Sequence, residues 1–159
     1  MRTGVRLGVD VGTVRIGLAR SDPHGVLALP VVTVPRGSGD VAEIVRQSSE
    51  FDAMEIIVGL PLAMSGGDSA STRDARDFAA RLATAVPGID VRLVDERLTT
   101  VSAHQVLRAS GRSSRSSRPV IDQVAAVIIL QHALDGERSG GNRPGTLVAT
   151  DQRDPDHGG

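Results

Sequence analysis

Apolar and polar positions near the start of the chain alternate with a period of two. Val5, Leu7 and Val9 share one parity, Asp10 follows, and beyond Gly12-Thr13-Val14 the chain resumes as RIGLA. This pattern predicts a β-hairpin whose first strand carries a carboxylate near its end. Gly12 suits the turn, where a residue without Cβ takes a positive φ or lets two backbones approach. The run VLALPVVTV over 26–34 predicts a third strand. Pro30 removes a ladder donor from it, which puts that strand at an edge or at a bulge.

Beyond the breaker-rich loop 35–39, Asp40 and Glu43 have the spacing of a capping box. Val41, Ile44, Val45 and Ser48 then fall on one helical face, closed by Phe51. The short apolar run EIIVG over 55–59 predicts a buried central strand, followed by a loop over 60–71. Ala75, Phe78, Ala79, Leu82 and Val86 mark a second helix, stopped by Pro87-Gly88. A strand over 90–95 runs out at Asp95-Glu96-Arg97. Thr99 or Thr100 can cap the next helix, whose inward face is Ala103, Val106 and Leu107. After the polar loop GRSSRSSRP (111–119), Pro119 opens a last helix with Ile121, Val124, Ala125, Ile128 and Ile129 on its apolar side.

From Gly136 the composition turns to Gly, Pro and mixed charge, which predicts one domain over 1–135 and a disordered tail over 136–159. Three strands joined by tight turns form an antiparallel meander, and strands separated by helices join in parallel. The expected fold is α/β, a mixed five-stranded sheet with helices on both faces.

Composition narrows the function classes. With 159 residues there is room for one core, and with two Phe as the only aromatics that core must be aliphatic. The absence of Cys removes disulfides and thiolate metal sites, and His24, His104, His132 and His157 have no metal-ligand spacing. No apolar run reaches membrane-spanning length, so the expectation is a cytoplasmic protein without a membrane partner. A net charge of −1 weighs against strong generic nucleic-acid binding but leaves room for a local basic patch. All 18 basic residues are Arg, whose planar fork matches phosphate oxygens.

Carboxylates collect at element ends: Asp10 after the first strand, Asp95 and Glu96 after the last, and Asp122 in the first turn of the last helix. If the first and last strands are neighbours, these groups meet. Gathered carboxylates repel one another unless a cation offsets them, and hard divalent ions take oxygen ligands. Each acid also has a simpler reading: Asp122 as partner of the helix dipole, Asp95 and Glu96 as a solvated strand end.

Four blocks sharpen the choice: GVDVGTVRIGLARSD (8–22), VGLPLAMSG (58–66), VRLVDERLTTVSA (91–103) and VIDQVAAVIILQHAL (120–134). In this order they resemble the YqgF or RuvX-like family over roughly residues 4–135. The resemblance implies an RNase H-like fold related to the RuvC resolvases and a metal-dependent phosphodiesterase. It implies Mg²⁺ or Mn²⁺ as cofactor, with Asp10, Glu96 and Asp122 as metal ligands and catalytic acids. Asp95 stands as a supporting or alternative ligand, because strand parity puts Glu96 on the face of Val94 and Asp95 on that of Leu93. Arg15, Arg97, Thr99, Thr100, Arg112, Arg115 and Arg118 would handle substrate, while Gly12, Gly59 and Pro61 shape loops. The implied substrates are the small-subunit ribosomal RNA precursor, presented within a ribosomal subunit, or branched DNA. A symmetric junction requires a homodimer, whereas RNA end processing needs only a monomer. Two other readings are a non-catalytic nucleic-acid or ribosome-associated factor, and a small ATPase suggested by GxDxG. The second is disfavoured because the chain has no room for a domain to close over nucleotide.

Overall fold

The structure is a computed structural model that describes residues 1–62, 65–98 and 118–148; for 98 and 118–122 it describes the backbone alone. Strands β1 (Val5–Val11), β2 (Arg15–Ser21) and β3 (Ala28–Pro35) form the expected antiparallel meander. Helix α1 (Asp40–Glu50) leads to β4 (Ala53–Leu60), and α2 (Ala70–Ala85) leads to β5 (Asp90–Asp95). A 3₁₀ turn over Glu96–Leu98 follows, and α3 (Arg118–Gly140) precedes a two-residue strand β6 (Thr146–Leu147). The sheet order is β3-β2-β1-β4-β5-β6, with β4 parallel to both β1 and β5. The helix expected after Thr99 or Thr100 and the loop 111–117 lie outside the described residues.

Helices cover both faces, and strand alternation divides the core between them. Leu7 and Val9 of β1, Ile56 and Val58 of β4, and Val91 of β5 pack with Ile44 of α1 and with Phe78, Ala79 and Leu82 of α2. Ile57, Val94 and Ala19 pack on the other face with Ala126, Ile129 and Leu130 of α3. Gly8, of opposite parity to Leu7 and Val9, is where α3 touches the sheet. A Cβ there would fall 2.7 Å from Leu130 Cβ and 2.9 Å from the Ala126 carbonyl oxygen.

Pro30 accounts for two features of β3. This strand is the sheet edge, and its register with β2 slips between Leu18 and Ala19, where Ala19 meets Pro30. The capping box expected of Asp40 and Glu43 is absent. Asp40 is instead the first helical residue, and its carboxylate accepts the N–H groups of Val41 (2.7 Å) and Gly37 (3.2 Å). Glu43 turns along the helix to Arg46 and Gln47. The reciprocal box sits at α2, where Ser69 accepts the Thr72 N–H and Thr72 accepts the Ser69 N–H.

The boundary expected at residue 135 falls inside α3. Two contacts carry the helix past it: Arg2 donates to both oxygens of Glu137 at 2.8 Å, and Gly141, at φ +78°, closes the helix with its N–H on the Glu137 carbonyl. The chain then returns to β5, where Val148 N–H meets the Val91 carbonyl, so 136–148 is ordered structure rather than tail. β6 is thus a sixth strand beyond the five expected. No helix among the described residues is long and apolar enough to cross a membrane.

Candidate active site

The first and last core strands are not neighbours, because β4 runs between β1 and β5. Asp10 and Glu96 nevertheless line one cavity of about 240 Å³, together with Gly12, Thr13, Pro61 and Asp74. Asp10 continues the Gly8 parity toward the α3 face. Glu96 continues that of Val94, which packs against α3. Gly59, one residue beyond the Val9–Val58 pair, lies on β4 between them on the same face. A Cβ at this position would fall 2.8 Å from Glu96 Oε2, 3.2 Å from its Cγ and 2.5 Å from Ile129 Cδ1. Strands two places apart are separated by about 10 Å, so the acids share a cavity only if the middle strand leaves the space empty. Gly59 does so from inside β4, in the run EIIVG that predicts this strand.

Both carboxylates are nearly buried, Asp10 at 4% and Glu96 at 7% exposure. Asp95 points elsewhere. Its Oδ1 accepts the Arg97 N–H at 2.9 Å and its Oδ2 accepts Arg97 Nη2 at 2.7 Å. The Arg97 guanidinium holds the Asp95 carboxyl below the usual carboxylate range. Arg97, expected at phosphate, is thus occupied by its neighbour at the protein surface. Arg15 opens β2 across from Pro35, and its carbonyl accepts the Gly12 N–H at 2.9 Å. A Cβ on Gly12 would come within 2.5 Å of that carbonyl oxygen, so Gly12 serves the turn by close approach rather than by a positive φ. The Pro61 carbonyl accepts the Thr72 hydroxyl, tying the end of β4 to the first turn of α2.

Asp122 belongs to α3 through its backbone, one turn before Ala126; its side chain and that of Arg118 lie outside the described residues, as do Thr99, Thr100, Arg112 and Arg115. Among the described residues no three carboxylate or imidazole groups converge as a metal-ligand set. The pair that does share a cavity offers hard oxygen donors, the chemistry that Mg²⁺ and Mn²⁺ take.

Two cavity neighbours escaped the sequence reading. Asp74 stands on α2, and Arg36 binds it with Nη1 to Oδ2 at 2.8 Å and Nη2 to Oδ1 at 3.0 Å. This pair holds the Asp74 carboxyl below its ordinary range. Spacing gave no signal for either residue: Arg36 follows Pro35 in a breaker-rich loop, and Asp74 occupies the polar side of an amphipathic helix.

Sheet order, strand directions and helices on both faces define this as an RNase H-like α/β protein. In keeping with that, the fold is similar to Thermus thermophilus RuvC, both in complex with a Holliday junction substrate (TM-score 0.56, 16% identity, 89% of this chain and 99% of that one) and in a further structure (TM-score 0.52, 17% identity, 91% and 98%). The profile of the RuvX family, described as Holliday junction resolvase, matches residues 4–136. The chain belongs to the RuvX family. Similar relatives include a Clavibacter sepedonicus protein named "Putative pre-16S rRNA nuclease", 64% identical over 159 residues and 98% of each chain. Proteins of the same name from Nocardioides sp. (54% identical, 93% of this chain and 98% of that one) and Streptomyces coelicolor (50%, 93% and 90%) are also similar.

Proposed function

We propose that this protein is a divalent-metal-dependent nuclease that hydrolyses phosphodiester bonds in 5′-end processing of the small-subunit ribosomal RNA precursor. The observation that carries the reading is the shared cavity of Asp10 and Glu96 across Gly59 in a chain of this family. Asp10 and Glu96 hold the cation, and Asp122, one helical turn before the residue that rests on Gly8, supplies the third carboxylate. A bound Mg²⁺ or Mn²⁺ supplies Lewis-acid stabilisation of the charge that builds on the phosphodiester. The protein's own part is to fix Asp10 and Glu96, both nearly buried, at one edge of the sheet. Arg15, Arg97, Thr99, Thr100 and the Arg112-Arg115-Arg118 series are the proposed substrate contacts. For Arg97 this means exchanging Asp95 for a phosphate oxygen, since an exposed pair of this kind is worth little in water.

RNA processing is favoured over junction resolution by the names of relatives matching 98% of the chain at 64% identity. A second reading, a homodimeric resolvase of branched DNA, is favoured by the description of the family and by the RuvC fold. Either function places the protein in the cytoplasm. The test is a cleavage assay of the purified chain on precursor small-subunit rRNA and on a four-way DNA junction, with Mg²⁺, with Mn²⁺ and with EDTA. Metal-dependent cutting of the rRNA precursor is expected. Selective cutting of the junction would support the resolvase reading, and cutting of neither would leave a non-catalytic binding factor.

A further inference from the structure

Arg36 ties together several segments around the candidate site. Its backbone N–H donates to the Val14 carbonyl at 3.0 Å, and its Nη1 donates to the Gly12 carbonyl at 2.8 Å, so one residue brackets the turn that follows Asp10. The same guanidinium makes the two-pronged bond to Asp74 on α2 and lies 3.3 Å from Asp40 at the start of α1. Its Cζ lies 5.5 Å from the centre of the buried Phe78 ring. A planar fork with five donors can satisfy a carbonyl and a carboxylate at once, which an ammonium cannot do in the same geometry.

Two consequences bear on the cavity. The turn carrying Gly12 and Thr13 is one wall and α2, through Asp74, is another, so Arg36 sets the distance between them. Asp74 is also a further carboxylate on the same cavity, and left alone it would compete for a cation or add repulsion to Asp10 and Glu96. Bound two-pronged to Arg36, it is neutralised and turned into a strut.

We infer that Arg36 is a positioning residue for the carboxylate cavity, clasping the turn after Asp10 to Asp74 on α2. Its effect on metal binding rests on the nuclease reading, but the clasp itself does not. The test uses the 159-residue chain as wild type, R36K, R36M and D74N. Amide hydrogen exchange is followed in the absence of metal, and Mn²⁺ binding by calorimetry. R36M is expected to speed exchange at the Gly12 amide about tenfold or more while the amides of Ile56–Val58 on β4 keep their protection. D74N should give a smaller local effect, and R36K, which retains charge but not the fork, should restore only part of the protection. In R36M, Mn²⁺ affinity should fall about tenfold, the scale on which loss of an outer support weakens a metal site. Unchanged exchange at Gly12 in R36M, equal acceleration across the whole sheet, or full rescue by R36K would each overturn the inference. A wild-type chain that binds no Mn²⁺ would count against the nuclease reading alone, because the metal-free exchange data decide the clasp.

Discussion

Gly59 lies directly beside Glu96: the position of a Cβ on residue 59 is 2.8 Å from Glu96 Oε2. The contact explains how acids at the ends of two non-adjacent strands, Asp10 in β1 and Glu96 just after β5, reach one cavity, since the intervening strand presents no side chain between them. It also predicts the outcome of a minimal substitution. Gly59→Ala must displace either Glu96 or Ile129, whose Cδ1 is 2.5 Å from the same point. Overpacking of this kind costs about 1–3 kcal/mol. Urea denaturation should show that loss, and the surviving folded protein should cleave and bind Mn²⁺ more weakly than wild type.

Glu96 and Asp95 are adjacent in sequence and opposite in environment, so their substitutions should separate. Asp95 is tied to Arg97 at the surface, while Glu96 is buried against Gly59. D95N should therefore lower metal-dependent cleavage by about tenfold or less. E96Q should exceed the ~10–100-fold that loss of even an outer support costs. E96D, one methylene short of the space over Gly59, should behave like E96Q. Equal losses in D95N and E96Q, measured as kcat/KM on one substrate, would contradict this division of roles.

At the opposite end of α3, Arg2 holds the Glu137 carboxyl below the usual carboxylate range through two hydrogen bonds of 2.8 Å. A carboxyl whose folded pKa is lowered binds its proton more readily in the unfolded chain. Its contribution to stability is thus complete above the ordinary glutamate value and is lost as the pH falls through the lower folded value. E137Q should be less stable than wild type near pH 7 by about 1–3 kcal/mol, the worth of hydrogen bonds to a charged group. Urea denaturation over a pH series should show the gap closing as the pH falls below the ordinary glutamate value of 4.5. A gap of constant size across that series would show that the pair carries no pH-linked stability.

Much of this architecture was legible because its elements carry local signals. Alternation in VRLGVDV, the apolar run EIIVG and the Ala75-Phe78-Ala79-Leu82 stripe each specify an element and its buried face, and Pro30 marked an edge strand with a register slip. Strand parity likewise separated Glu96 from Asp95. What escaped depends on contacts distant in sequence. The insertion of β4 between β1 and β5, the continuation of α3 past residue 135 and the return of Thr146–Leu147 to the sheet rest on partners such as Glu137 with Arg2, or Val148 with Val91. Asp40 looked like a cap by its residue type, but Gly37 and Arg36 drew its carboxylate away from that position. The Arg36–Asp74 clasp joins residues 38 apart, each unremarkable in its own segment.

The most direct test of the site is a calorimetric Mn²⁺ titration of the wild-type chain beside D10N and E96Q, each first shown to be folded by circular dichroism. Saturable binding in the wild type that is lost in both variants is the predicted result. Binding of undiminished affinity in either folded variant would contradict the assignment of that carboxylate to the metal site.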